Sequence, residues 1–314
     1  MGNKRMKISI VTPSFQRAAY LDETIESVLS QKGDFSIEYI IQDGGSGTDV
    51  LEILDKWNTK IKQGQFIPQC NNIRFRYFIE KDRGMYDAIN KGFSKTSGDV
   101  MTWINTDDMY HPYAFNTVAQ VFKKFPDVHW ITGIPNSYNH YGSRSGWDRF
   151  PPAYSREFLA RGYYDVKFLR YGFNWIQQES TFWRRTLWEK VGAKVNSQYQ
   201  YAADFFLWQE FAKHTDLVKV YSFLGGYRFH GHQVTASPEA YRNELPAVTP
   251  PPKGIKILRK ILCNFPYTRK LFYNKRRGHP FIRLMGLRWQ WLTGRAIHWS
   301  FQTNDWEMHP RGIL

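Results

Sequence analysis

The segment Val100-Met-Thr-Trp-Ile-Asn-Thr-Asp-Asp108 begins as a short apolar run and ends on two adjacent carboxylates. Val100 to Ile104 is too short for a stable helix and fits a strand buried on both faces, which leaves Asp107 and Asp108 at an exposed strand end. The flanking sequence repeats this grammar. Ile8 to Thr12, Ile37 to Gln42 and Arg74 to Phe78 read as strands upstream, and Val128 to Thr132 as a fifth strand downstream. Between them, Leu21, Ile25, Val28 and Leu29 share one helical face, as do Val50, Leu51, Leu54 and Trp57. Met85 to Phe93 reads as a short helix closed near Gly92, and Phe115, Val118, Phe122 and Phe125 as one that starts after Pro112. Strands alternating with helices imply right-handed crossovers and an α/β, Rossmann-like, mostly parallel central sheet flanked by helices. The second half is less regular. A Tyr/Trp/Gly-rich stretch runs from Ile134 to Gly172, Trp175 to Val191 and Ala203 to Lys213 read as helices, and Val218 to Phe223 as a strand.

In such sheets ligands bind beyond the C-terminal strand ends. Four of those ends are polar: Thr12-Pro13-Ser14, Asp43-Gly44-Gly45-Ser46, Asp82-Arg83-Gly84 and Asn105-Thr106-Asp107-Asp108. Adjacent acids at an exposed end call for a cation, and a hard divalent ion such as Mg²⁺ or Mn²⁺ takes carboxylate and phosphate oxygens together. The competing role for Asp107 or Asp108 is a helix cap ahead of Pro112. Asp43 can accept from a base or sugar hydroxyl beside a glycine turn, or simply close that turn. Gly44 to Gly47 matches neither the dinucleotide fingerprint nor a P-loop. Arg83 at a helix start can hold an anion, while Asp87 and Asn90, three apart, share a helix face.

Taken together, Ile-Val-Thr-Pro-Ser-Phe-Gln-Arg17, Ile-Gln-Asp43-Gly-Gly-Ser, Asp82-Arg-Gly-Met-Tyr-Asp-Ala-Ile-Asn-Lys-Gly92 and Trp-Ile-Asn-Thr-Asp-Asp108 resemble, in order, the motifs of family 2 glycosyltransferases. The resemblance spans residues 7 to about 235 and implies the nucleotide-sugar-binding GT-A fold and an inverting transfer. It implies a donor pocket formed by Thr12, Pro13, Ser14, Arg17, Asp43, Asp82, Arg83, Asp87 and Asn90. Within it, Asp43 would meet the base, Asp107 the ribose or donor sugar, and Asp108 a Mn²⁺ or Mg²⁺ ion that bridges the diphosphate. Direct displacement needs a carboxylate to take the acceptor proton. Two candidates stand in the second half, Asp204 and Glu179; the family carries its base just before an aromatic-rich helix, as Asp204 stands here. The chain departs from the family pattern with Gln42-Asp43 and Ala203-Asp204 where two adjacent acids are usual. Tyr227-Arg228-Phe-His230 resembles the segment that closes the pocket, which makes Arg228 a phosphate contact and His230 a metal or diphosphate contact; a satisfied structural histidine is the alternative. Aromatics from Trp147 to Trp188 suit either acceptor sugar faces or the core.

The chain has 314 residues, 42% hydrophobic and 17% aromatic, which excludes disordered, collagenous and disulfide-stapled classes. Its two cysteines, Cys70 and Cys263, have no ligand neighbours at zinc spacing. Charge is uneven. From Leu245 to Asn304 there is no Asp or Glu, while twelve Lys and Arg residues from Lys253 to Arg295 carry most of the net +15. Pro246 and Pro250 to Pro252 mark the boundary. The expected organisation is therefore a catalytic domain over 1–245, with a nucleotide-sugar half (1–133) and an acceptor half (134–245), followed by a basic, aromatic-rich helical extension (246–314). Its Arg residues interleave with Phe281, Leu284, Trp289, Trp291 and Trp299, a pattern suited to an anionic membrane surface or to packing on the domain. No signal peptide or apolar span is apparent, so a cytoplasmic place, with peripheral contact to the membrane's cytoplasmic face, is expected. The partners expected are a nucleotide-sugar donor and a glycan or lipid-linked acceptor. Nucleic acid is not expected, because acidic strand ends repel phosphates, and Thr12 to Arg17 is unlike the Gly-rich loop of sugar nucleotidyltransferases.

Overall fold

The computed structural model describes residues 5–147, 153–164, 175–230, 238–246 and 294–312. The first half follows the expected alternation: β1 (Lys7–Ser14), α1 (Leu21–Leu29), β2 (Gly33–Asp43), α2 (Thr48–Lys62), β3 (Cys70–Ile79), α3 (Met85–Ser94) and β4 (Val100–Trp103). The second half comprises β5 (Met109–Tyr110), α4 (Ala114–Lys124), β6 (Trp130–Thr132), β7 (Asn136–Tyr138), β8 (Arg144–Trp147), α5 (Arg156–Ala160), β9 (Thr181–Arg184), α6 (Arg185–Lys190), α7 (Ala203–His214), β10 (Val218–Val220), β11 (Gly225–Arg228) and α8 (Pro238–Glu244). A terminal hairpin, β12 (Gly294–Ser300) and β13 (Asp305–Gly312), completes the described residues.

Among them, nine strands form one sheet in the order β13-β12-β10-β6-β9-β4-β1-β2-β3, and β5, β11, β7 and β8 form a second. β1 pairs in parallel with β2 (Ile8 with Ile37) and with β4 (Ile8 with Val100), so the C-terminal ends of β1, β2 and β4 point the same way. Strand alternation explains the uninterrupted apolar runs. Ile8, Ile10, Ile37, Tyr39, Ile41 and Val100 enter one core with α1, α2 and α4, while Val11, Ile40, Met101 and Trp103 enter the other with α3 and α7. The second core is aromatic. Trp103 stacks on Trp208 with centroids 5.8 Å apart and planes 8° apart, and Trp183 meets Trp103 edge-on at 5.4 Å.

Helix α3 lies close on β1 because of Gly92: a Cβ there would sit 2.5 Å from Val11 Cγ1. Alanine gains about 1 kcal/mol of helix propensity, but overpacking a fully buried contact costs about 1–3 kcal/mol. A contact this short makes the second effect win, so Gly92→Ala is expected to lower Tm by several degrees in a thermal melt.

Two expectations are corrected. Trp175 to Val191 is not one helix: Gln178–Ser180 form a single 3₁₀ turn, Thr181–Arg184 is β9, and only Arg185–Lys190 is helical. β9 fills the slot between β4 and β6, antiparallel to both, with Phe182 in one core and Trp183 in the other, and this burial on both faces overrides local spacing. The helical extension is likewise not helical where it is described. Residues 294–312 are a hairpin whose β12 pairs in parallel with β10 (Val220 with Ile297) and joins the central sheet. Ile297 is fully buried and Trp306 Nε1 donates to Gln120 Oε1 on α4 at 2.7 Å, so sheet and helix together fix the strand. Most of the basic run, Lys253 to Arg288, and Phe281, Leu284, Trp289 and Trp291 lie outside the described residues.

Candidate active site

A cavity of about 740 Å³ opens beyond the C-terminal ends of β1 and β4. Pro13 and Ser14 at the end of β1 and Arg17 just after it enter its wall, Asp107 and Asp108 follow β4, and Asp204 enters from the first turn of α7. Glu179 reaches it from the turn before β9, and Met85, Trp103, Tyr164, Trp175 and Ile176 provide apolar and aromatic surface. Asp107 and Asp108 do not cap α4, whose preceding residue is Tyr113.

The acids differ in their partners. Asp107 lies 3.1 Å from His230 Nε2 and 3.7 Å from Arg17 Nη1. Asp108 is 3% exposed and its partners are neutral: Oδ1 accepts from the Arg228 backbone N–H at 2.9 Å and Oδ2 from the Asn105 amide at 2.9 Å. The Glu179 carboxyl lies close enough to act on it electrostatically. Burial first, then the charges of Glu179 and Asp107, push Asp108 well above the usual carboxylate range. Burial pushes Glu179 up to about 7. Two carboxyls that share a site this way hold a proton between them, or release it when a cation arrives. Burial also lifts Asp204 to about 6; its Oδ1 accepts from the Phe205 N–H at 2.8 Å.

These shifts fix a sign. The folded protein binds protons that the unfolded chain releases between pH about 4 and about 7, so metal-free stability falls as pH rises through that window. Lifting Glu179 from 4.5 to about 7 corresponds to about 3 kcal/mol. Thermal melts in a chelating buffer are expected to show a lower Tm at pH 7 than at pH 5, and saturating divalent cation to remove most of the slope.

Other expected residues are held by the scaffold. Thr12 is fully buried and its hydroxyl pairs with the Tyr39 hydroxyl at 2.9 Å. Asp43 closes its own turn, with Oδ2 accepting from the Gly45 and Ser46 N–H groups at 2.9 and 2.7 Å and Oδ1 from the Ser46 hydroxyl at 2.6 Å. Asp82 lines the cavity beside Gly44, where a Cβ would sit 2.7 Å from Asp82 Oδ2. Arg83, mostly exposed, pairs with Asp87 at 3.3 Å, and Asp87 also faces Lys91 at 3.5 Å. Asn90 spends both ends of its amide on the Val195 backbone at 2.8 Å. The Arg228 guanidinium is fully buried and engaged by Glu23 at 2.6 Å, by the Asp107 carbonyl at 2.9 Å and by the Tyr20 ring. It braces the strand end through that carbonyl. The aromatics divide: Trp183, Trp188, Tyr154 and Tyr163 are core, while Tyr164 and Trp175 line the cavity.

Sequence reasoning missed Glu244. Its carboxylate accepts from the Gln200, Tyr201 and Ala202 N–H groups at 2.7, 2.8 and 2.8 Å and so holds the loop that delivers Asp204. The Tyr86 hydroxyl braces the same loop through the Tyr201 carbonyl at 2.8 Å. Neither carried a local signal, because each partner is more than 40 residues away. The unpartnered polar atoms of the cavity wall are more telling. Ser14 and Asn105 belong to that wall, and Ser14 Oγ and Asn105 Oδ1 are buried with no hydrogen-bond partner among the described residues.

A mostly parallel sheet with an acid-rich cavity past its strand ends is the GT-A arrangement, and the family model described as Glycosyl transferase family 2 matches residues 9–186, more than half of the chain. The chain belongs to glycosyltransferase family 2. It is 32% identical over 103 residues to an uncharacterised glycosyltransferase of Mycobacterium tuberculosis strain H37Rv, a match covering 33% of this chain and 34% of the relative. It is 30% identical over 137 residues to the hyaluronan synthase of Streptococcus pyogenes, covering 42% of this chain and 30% of the synthase. The chain thus spans about a third of the length of these curated relatives. The crystal structure of S. aureus TarS 1-349 in complex with UDP-GlcNAc superposes with a TM-score of 0.55 at 12% identity, covering 91% of this chain and 78% of that one, a likeness of fold.

Proposed function

We propose that the protein is an inverting glycosyltransferase that moves a sugar from a nucleotide-sugar donor to a hydroxyl of a glycan or lipid-linked acceptor in polysaccharide biosynthesis. The observation that carries this is one cavity lined by acids from three places: Asp107 and Asp108 past β4, Glu179 before β9, and Asp204 at the start of α7. The relatives favour the same direction, since one is named for hyaluronan synthesis and TarS was solved with UDP-GlcNAc.

In this reading Ser14, Arg17, Asn105 and Asp107 bind the donor. Asp204 takes the proton from the acceptor hydroxyl while that oxygen bonds to the anomeric carbon from the face opposite the diphosphate. The bond from anomeric carbon to diphosphate oxygen breaks, the nucleoside diphosphate leaves with the electron pair, and the configuration inverts. Arg17 carries positive charge toward the departing diphosphate, and the apolar wall excludes water that would otherwise compete with the acceptor. Asp108 and Glu179, buried with neutral partners and raised pKa values, fit a divalent cation that would offset their charge. Asp108 would hold Mn²⁺ or Mg²⁺, with His230 beside it through Asp107, and the ion would supply charge stabilisation to the leaving diphosphate. Glu179 shares a proton with Asp108 and is therefore the weaker candidate for the base.

Calorimetric titration of UDP, GDP, dTDP and CDP, each with and without Mn²⁺, tests the donor class. One nucleotide is expected to bind only with the metal; a folded protein that binds none of them would sink the proposal.

The cytoplasmic membrane face remains the place we propose for this chemistry, through the basic run from Lys253 to Arg288. No helix among the described residues is long and apolar enough to cross a membrane. Flotation with anionic vesicles is expected to weaken when Lys275, Arg276 and Arg277 are replaced by Gln, and undiminished flotation would remove the membrane role.

A further inference from the structure

The terminal hairpin carries a cluster that the transferase reading does not use. His298 on β12 stands directly opposite Glu307 on β13, and His309 follows Glu307 by two residues, so strand alternation puts all three on one face of the hairpin. One ligand-capable atom from each lies within 4.8 Å of the others. The two imidazoles are neighbours, with ring centroids 4.5 Å apart. His298 Nδ1 and His309 Nε2 are both buried and have no hydrogen-bond partner among the described residues. Two adjacent, unsatisfied imidazole nitrogens would be a plain cost to folding if nothing bound them. The opposite face is already used: Trp299 and Trp306 pack edge to face, and Trp306 is anchored to Gln120 on α4.

We propose that His298, Glu307 and His309 form a Zn²⁺ site that clamps β13 to β12, with water as the fourth ligand. Two imidazoles and one carboxylate are a donor set for zinc or a neighbouring transition ion, whereas Mg²⁺ prefers oxygen alone. Zinc bonds of about 2.0–2.2 Å put ligand atoms about 3.3 Å apart, so from a spacing of up to 4.8 Å the side chains need to close by up to about 1.5 Å. The environment favours the ligating protonation states. Burial, then the charge of His298, hold His309 below the usual histidine range. Hydrogen bonds from Thr303 and then Ser300 hold Glu307 below its own. The site is separate from the transferase cavity: β12 stands four strands from β4, about 19 Å at ordinary strand spacing. Its role is to fix the edge of the central sheet, since β13 is an outer strand that pairs only with β12 among the described residues.

The proposal is tested on the full chain by Zn²⁺ calorimetry and by the visible spectrum of the Co²⁺ form, with native protein, Asp108→Asn, His298→Asn and His309→Gln. An equivalent of Zn²⁺ that does not depend on Asp108, a tetrahedral nitrogen-containing Co²⁺ spectrum, and a Tm raised by Zn²⁺ are expected in the native protein and in Asp108→Asn. Each histidine substitution is expected to weaken Zn²⁺ binding by at least about tenfold and to abolish the Tm rise. A native protein showing only an octahedral oxygen-ligand Co²⁺ spectrum would overturn the site, whether or not the variants fold. So would Zn²⁺ binding lost in Asp108→Asn and kept in both histidine variants.

Discussion

Replacing Asp204 with Asn is expected to lower kcat by about 10²–10⁴ while donor KM stays within about threefold of native. Asparagine keeps the shape of the side chain and an oxygen to accept the Phe205 N–H, and loses only the capacity to take a proton. The loss should therefore appear in kcat rather than in binding. Burial lifts Asp204 to about 6, which adds a second signature. The base must be ionised to work, so native kcat should rise with pH through about 6, and that acid limb should vanish in the variant. Paired kinetics of Asp204→Asn and Glu179→Gln separate the two candidates. If Asp204→Asn keeps its rate and its acid limb while Glu179→Gln loses both, the base is Glu179 and the assignment fails.

Asp108→Asn should move two measurements in opposite directions. Metal-dependent nucleotide affinity is expected to fall about a hundredfold or more, because a desolvated charge contact is worth about 2–5 kcal/mol. Stability without metal is expected to rise at pH 7. The substitution removes one of two adjacent buried carboxyls, itself held well above the usual range by burial and then by the charges of Glu179 and Asp107. The slope of Tm against pH in chelating buffer should flatten at the same time. Unchanged nucleotide affinity in a more stable protein would mean that Asp108 holds no metal and that its burial serves another end.

These expectations depend on sequence signals of very different reach. The alternation of strands and helices from Lys7 to Lys124 was legible because β1, β2 and β4 bury both faces and each helix one, and these periods are local properties of the chain. The acids past β4 were legible for the same reason, since a parallel sheet presents its C-terminal strand ends together. Position alone did not show what each group would be spent on. Asp43 and Arg228 stand at or near the cavity, and the first also accepts three hydrogen bonds within its own turn while the second pairs with Glu23, 205 residues away in the chain. Asn90 was on the expected helix, and its amide is used up by Val195.

By itself, the sequence of this chain determined the order of its first strands and helices, the family-like motifs, and the place where acids gather. Only the tertiary structure decided that Thr181–Arg184 enters the sheet antiparallel, that 294–312 closes its edge as a hairpin, that Glu244 holds the Asp204 loop, and that Asp108 meets Glu179. The physical reason is one of range. Hydrophobic period and turn chemistry act over a few residues, whereas pairing partners, burial of charge and raised pKa values arise when distant segments exclude water from one another.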